Sequence, residues 1–389
     1  MTNVGLTNRA RLLRPLLAAG SDQGAEERRL PEKSVRALAE AGLFKVMVPG
    51  RYGGHEASIK TLLEVSSLVA EGDGAAGWVV SLTGVSAWMT SLFPRQAQDE
   101  VFGGETEAVV CGSGSPFGSV TSTEGGWRLS GRWSYISASN HANWAVLGFL
   151  TPGEDGQPGE YGMALVPMSE LTLTDTWFTS GMRATGSNTL TAENVFVPRH
   201  RVLPGAAIAT SDYPTEFKDE TAYRAAYFPV ATLALVGPLL GIGRAALEHV
   251  RTAAATKGIV ATKFARQADS AGFQLQLAEA ALRIDGAHLH AFRAADDIET
   301  HAARGVHPQV QVRTRIRAET AWTAQELVSA VTTLVTAHGS GAFALASPLH
   351  RMFEDLNVGA RHALLNPAVS LELHGKMLLG LENDVTVAI

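Results

Sequence analysis

Apolar positions along the chain follow three successive regimes. Up to about residue 102 they recur at helical spacing. Residues 5–48 read as helix, with Pro31-Glu32 opening a new segment whose face is Val35, Leu38, Ala39 and Ala41, closed by Gly42. Ile59–Ala70 and Gly77–Leu92 read as helices, Phe93-Pro94 breaks the pattern, and Gln96–Phe102 makes one more short helix. Between about 107 and 205 the period shortens to two. Strands are expected at Ser119–Thr123, Trp127–Leu129, Trp133–Ser137, Trp144–Leu150, Tyr161–Pro167, Leu171–Thr176 and Thr189–Val197, separated by Gly, Pro, Asn and Asp. Trp127 and Leu129 alternate before Ser130-Gly131, and Trp133, Tyr135 and Ser137 after it. That predicts a hairpin turning at Ser130-Gly131 and running into a polar loop with Ser137, Ser139, Asn140, His141 and Asn143.

From about 220 the helical period returns. Phe228–Ala255 is apolar, with Gly237, Gly241 and Gly243 allowing close helix approach. Phe273, Leu277, Ala281, Ile284, His288, Ala291, Ala295 and Ile298 lie on one helical face. Val312, Ile316, Thr320, Thr323, Leu327 and Leu334 make a second, and Leu356–Leu379 a third or fourth. The expected fold is mostly α with a central β domain: N-terminal helices over 1–106, a β-barrel or sandwich over 107–215, and a C-terminal four-helix bundle over 216–389.

Composition narrows the function. Hydrophobic residues make up 46% of the 389 and charged residues 18%, enough to build buried cores. Net charge is −6 and the basic runs are broken by apolar residues, so nucleic acid is not an expected partner. The single cysteine, Cys111, excludes an intrachain disulfide and fits a cytoplasmic setting. Leu12–Ala19 is interrupted by Arg14 and Pro15, and no apolar run is read as a membrane span. His55, His301, His307, His338 and His374 show no metal-ligand spacing. Gly112–Gly118 lacks the lysine and flanking context of a phosphate loop, and no nicotinamide fingerprint follows a strand.

The order of elements and the motifs filling it resemble the acyl-CoA dehydrogenase fold, and within it the two-component (group D) flavin-dependent monooxygenases. The resemblance runs from about Leu30 to Leu379. It rests on Val48–Gly54, Gly77-Trp78, Leu92-Phe93-Pro94, Leu129–Trp133 with Tyr135 and Ser137, Gly181–Ser187, Val195–Pro198, and Pro348–Arg351 through Asp355–Asn357 to His362. True dehydrogenases carry a catalytic glutamate some positions after an Arg-Asp pair. Here no carboxylate occurs from Leu356 to Leu371, and His362-Ala363 stands in that region. Abstraction of an α-proton from an acyl thioester needs that base.

The resemblance implies reduced FAD or FMN (FADH2 or FMNH2) supplied by a separate NAD(P)H-dependent flavin reductase. It implies reaction with O2 to a C4a-hydroperoxyflavin, and hydroxylation of a small aromatic or indole-like substrate. N- or S-oxygenation and acyl-CoA dehydrogenation are the alternatives. It further implies a homotetramer. His362 is the acid/base candidate, because imidazole titrates near neutrality. Ser137 would meet the flavin near N5 and the oxygen. Trp133 and Tyr135 would wall the ring. Lys263 and Arg266, with Arg351 and Arg183, are the candidates for its phosphate. Ser86, Trp88 and His288 are the substrate-pocket candidates. Ser86 stands near the register where some relatives carry a histidine.

Overall fold

The computed structural model describes residues 3–104, 107–153 and 159–389. The expected boundary at 106 lies outside the described residues.

The N-terminal helices are α1 (Asn3–Glu27), α2 (Glu32–Glu40), α3 (Ile59–Ala70), α4 (Gly74–Thr90) and α5 (Arg95–Phe102). Helix α4 starts one turn earlier than apolar periodicity suggests. Asp73 caps it, its Oδ1 accepting from Ala76 N–H at 2.8 Å, and a cap satisfies donors that apolar spacing does not reveal.

Seven strands follow among the described residues: β1 (Val110–Thr123), β2 (Gly126–Ile136), β3 (Trp144–Leu150), β4 (Tyr161–Pro167), β5 (Thr172–Thr174), β6 (Asn188–Pro198) and β7 (Val202–Pro204). They form one sheet in the order β5-β6-β2-β1-β3-β4-β7, antiparallel except where β1 runs beside β3. The expected turn at Ser130-Gly131 is not a turn. Strand β2 passes straight through it, Ser130 opposite Ser119 and Gly131 opposite Gly118 on β1, with β6 on its other side. The chain reverses instead beside Gly125, whose φ of +78° suits glycine. Gly131 is needed for another reason: a Cβ there would sit 2.7 Å from the Gly118 Cα. Strand β5 is shorter than the expected Leu171–Thr176, and Ser119–Thr123 is the end of a longer, bulged β1.

Short α6 (Gly205–Thr210) leads to α7 (Tyr227–Ala234), α8 (Val236–Ala253), α9 (Ala271–Arg304), α10 (Val310–His338), α11 (Pro348–Gly359) and α12 (Pro367–Leu378). The periodic stretch Leu356–Leu379 thus splits into two helices around His362, and Pro367 opens the second. On α9 the expected face is inside: Phe273, Ile284, Ala291, Ala295 and Ile298 are buried. Contrary to the expectation of no span-like stretch, Tyr227–Ala253 is apolar and long enough to cross a membrane by composition. Of its most apolar 18 residues 83% are buried within the molecule, where its neighbours supply the apolar surroundings.

One hydrophobic core joins the N-terminal helices to the C-terminal ones, and a second fills the sheet around Leu129, Trp133, Ile136, Leu147 and Phe149. The α3–α8 crossing depends on glycine. A Cβ at Gly241 would lie 2.1 Å from the Ser67 carbonyl oxygen, and one at Gly237 2.2 Å from Ser66 Oγ. Gly241→Val is expected to lower unfolding free energy by about 2–3 kcal/mol, read from denaturant midpoints, because the backbone of α3 cannot give way.

Candidate active site

Trp78, one turn into α4, has a buried indole N–H that must find an acceptor. It donates to Ser137 Oγ at 3.1 Å. Ser137 lies just past β2, where the pairing with β6 slips between Trp133 and Ile136. Tyr135 and Ala138 take left-handed φ of 66° and 65° there. The bulge changes the phase of the strand. Trp133 and Ile136 both point into the sheet core, while Tyr135 turns outward with 74% of its surface exposed. The segment after it is not a surface tip. Ser137, Ala138 and Ser139 are buried against residues 182–187. Ala138 N–H donates to the Thr185 carbonyl (2.9 Å), Ser139 Oγ to the Gly186 carbonyl (2.7 Å), and Ser137 Oγ meets Ser187 Oγ (2.8 Å). Ser187 Oγ meets Thr185 Oγ1 at 2.6 Å, and Thr185 donates to the Met182 carbonyl at 2.8 Å.

The bundle supplies the opposite wall. After α11 the chain turns at His362, whose Nδ1 accepts from Leu364 N–H at 3.2 Å. That leaves the hydrogen of the neutral ring on Nε2. The imidazole is partly buried, and that burial pushes its pKa down to about 4. Its centroid is 6.2 Å from that of Trp78. Trp78 therefore joins the two residues singled out for chemistry, touching Ser137 with its N–H and neighbouring His362 with its ring.

Asp355 on α11 fixes the intervening loop. Its Oδ1 accepts from Met182 N–H, and a Cβ on Gly181 would lie 2.2 Å from the Glu354 carbonyl carbon. Met182 itself has φ 52°, and its carbonyl also receives the Trp177 indole N–H at 2.8 Å. Burial and the nearby Asp73 carboxylate push the Asp355 pKa up to about 7, with Arg351 opposing.

The other candidates scatter. Trp133 does not wall the pocket: its indole donates to the Gly148 carbonyl at 2.8 Å inside the sheet. Trp88 is likewise packing, its N–H on the Ala222 carbonyl at 2.8 Å and its ring near Tyr227. Ser86 is buried on α4, about 12 Å along the axis from Trp78 at 1.5 Å per residue. His288 stacks on Phe292 and meets Arg244 at 2.7 Å; none of these contacts reaches Trp78, Ser137 or His362. Burial, reinforced by Arg244, brings its pKa down to about 4. Arg351 is committed elsewhere, bridging Asp22 on α1 beside the buried Asp73 and Asp355, so it serves as their counter-charge rather than as a free phosphate ligand. Arg183 is exposed at the Met182–Ser187 loop. Lys263 and Arg266 are exposed between α8 and α9, Arg266 paired with Asp269 at 2.6 Å. Reading side chains singly missed Trp78, Thr185, Ser187 and the role of Asp355. All four lie inside the motifs that carried the resemblance.

The folded pKa of Asp355 lies above its ordinary value, so ionisation favours the unfolded chain. Stability is expected to fall as pH rises from about 4 towards 7. Asp355→Asn keeps the acceptor for Met182 and removes the charge. Its melting temperature should gain on the wild type by a few degrees between pH 5 and pH 8; a constant difference would show that Asp355 does not titrate there.

The surroundings of Trp78 thus bring a hydroxyl and an imidazole N–H together, with an outward aromatic two residues before the hydroxyl, a set of groups that suits a flat ring with hydrogen-bonding edges. Comparison with known proteins agrees. Residues 10–102 match the acyl-CoA dehydrogenase N-terminal domain, and residues 233–367 match the acyl-CoA dehydrogenase C-terminal domain. The flavin-dependent monooxygenase oxygenase subunit HsaA of Rhodococcus jostii (strain RHA1) is 30% identical over 378 residues, covering 95% of this chain and 97% of that protein. The oxygenase component of the FADH(2)-dependent resorcinol hydroxylase of Rhizobium sp. (strain MTP-10005) is 29% identical, with 98% and 95% covered. Among solved structures, XiaF from Streptomyces sp. in complex with FADH2 and glycerol superposes with a TM-score of 0.93 at 35% identity, covering 99% of this chain and 97% of that one. With the fold shared along its whole length and no carboxylate after Asp355 in the dehydrogenase position, this chain belongs to the two-component flavin-dependent monooxygenases built on the acyl-CoA dehydrogenase fold, as an oxygenase component.

Proposed function

We propose that this chain hydroxylates a small aromatic or indole-like molecule, using reduced FAD or FMN delivered by a separate NAD(P)H-dependent reductase. The observation that carries this reading is the joining of Ser137 and His362 through Trp78. The substrates for which relatives are named support the aromatic class: resorcinol, p-hydroxyphenylacetate and indole-3-acetate. Reduced flavin would supply the two electrons that activate O2. Tyr135 would face the ring, Ser137 its hydrogen-bonding edge, and Arg183 would lie on the loop beside it. The enclosed position of Trp78, Ser137 and Ser187 limits water at that edge.

His362 enters as a neutral donor. With Nδ1 occupied by Leu364 N–H and the pKa near 4, it holds a hydrogen on Nε2 across the physiological range. It would orient a phenol, phenolate or carbonyl oxygen of the substrate by hydrogen bonding. His362→Ala should keep reduced-flavin affinity within about threefold and lose product at least about a hundredfold. Equal turnover would remove His362 from the mechanism. The reaction itself is tested by supplying reduced flavin and 18O2 with aromatic candidates. One labelled oxygen in the product supports the reading, and mass fragmentation separates C- from N- or S-oxygenation. Reduction of bound flavin by an acyl-CoA, without labelled product, would sink it.

A homotetramer is part of this reading. Leu275, Leu282 and Leu289 recur every seventh residue on the outer face of α9 and are 73%, 72% and 70% exposed. Lys263 and Arg266 make no contact with the Ser137 network of their own chain, which suits cations serving a neighbouring subunit's flavin phosphate. Leu282→Glu with Leu289→Glu should lower the sedimenting mass; an unchanged mass would place the interface elsewhere. The cytoplasm is the proposed compartment, on the single buried, reduced Cys111.

A further inference from the structure

Each hydroxyl has one hydrogen, so the contacts linking Trp78 to Met182 can be assigned one at a time. The Trp78 N–H only donates, so Ser137 Oγ accepts it. At the far end the Met182 carbonyl only accepts, so Thr185 directs its hydrogen there. The 2.6 Å contact between Thr185 and Ser187 then requires the hydrogen of Ser187. The 2.8 Å contact between Ser187 and Ser137 requires that of Ser137. The chain runs one way, from Trp78 through Ser137, Ser187 and Thr185 to Met182. Reversed, it would leave Thr185 Oγ1 and the Met182 carbonyl oxygen 2.8 Å apart with no hydrogen between them. Water offers no easy alternative, because Ser137, Thr185 and Ser187 are all buried.

The consequence falls on Ser137. Its hydrogen is turned inward, and a lone pair is what remains for a bound molecule. We propose that Thr185 and Ser187 are positioning residues that hold Ser137 as a hydrogen-bond acceptor and so make the site select reduced over oxidised flavin. Reduced flavin carries a hydrogen on N5; oxidised flavin presents a lone pair there. An accepting Ser137 pairs with the first and opposes the second. This rests on the reading above, in which Ser137 meets the edge of the flavin. No covalent step is involved, only the polarity of a hydrogen bond.

The test is anaerobic titration of the full chain with oxidised and with dithionite-reduced FMN and FAD, together with the midpoint potential of the bound flavin. Thr185→Val removes the acceptor for Ser187, which can then turn to Ser137 and free the Ser137 hydrogen for the pocket. The ratio of oxidised to reduced Kd should fall about tenfold, the size of one hydrogen bond, and the potential by about 30 mV. Thr185→Ser retains the hydroxyl and should restore both values. Ser187→Ala should act like Thr185→Val and guards against one variant failing to fold. A ratio unchanged within about twofold in the folded variants overturns the proposal while leaving the flavin reading intact. So does an equal loss in Thr185→Ser, which would report packing. Binding of neither flavin form by the wild type overturns both.

Discussion

The buried indole N–H of Trp78 is the constraint on which the site depends. A donor enclosed between a helix and a sheet needs an acceptor, and Ser137 provides it. That single bond fixes α4 against the end of β2. The cost of leaving the N–H unpaired, about 1–3 kcal/mol, favours one relative placement of helix and sheet over its neighbours. The bulge that presents Ser137 also turns Tyr135 outward, so the same local distortion builds both the hydroxyl and the aromatic surface.

Asp355 acts on this contact from the other side. By accepting from Met182 N–H it holds the loop whose Thr185 and Ser187 complete the hydroxyl chain. A carboxylate so enclosed would be costly alone. Arg351, tied to Asp22, lies near enough to Asp73 and Asp355 to oppose their desolvation. Charge in this molecule therefore organises the support of the pocket, while the groups at its edge are a hydroxyl and an uncharged imidazole. In the proposed function, activation of oxygen by reduced flavin would benefit from such an edge, because hydrogen bonds there are aimed without bulk water competing.

Close backbone approach is the second device. Gly237 and Gly241 let α8 lie against α3, and Gly181 lets the Met182–Ser187 loop lie against α11. These contacts put the N-terminal and C-terminal helices into one core, from which both Trp78 and the segment leading to His362 emerge. A site assembled from residues 78, 137, 187 and 362 is thus held by packing that spans the chain.

Periodicity determined the elements. Ile59–Ala70, Trp144–Leu150, Tyr161–Pro167 and the buried face of α9 were legible because each repeats at the spacing of its own backbone. The ordered motifs, and the absence of a carboxylate between Leu356 and Leu371, separated oxygenase from dehydrogenase. Single residues were legible only in part. Trp133 and Tyr135 look equivalent in a period-two strand, and a bulge separates them. Ser130-Gly131 looks like a turn, yet neighbours on both sides keep it a strand. His362 looks like a near-neutral base, yet burial and Leu364 make it a neutral donor. Arg351 looks like a phosphate ligand until Asp22, far away in sequence, meets it. For the Trp133–Tyr135 bulge, the Ser130-Gly131 stretch and Arg351 the deciding partner sits on another element; for His362 the Leu364 contact is local but the burial that lowers its pKa is not, and only the tertiary structure supplies these surroundings.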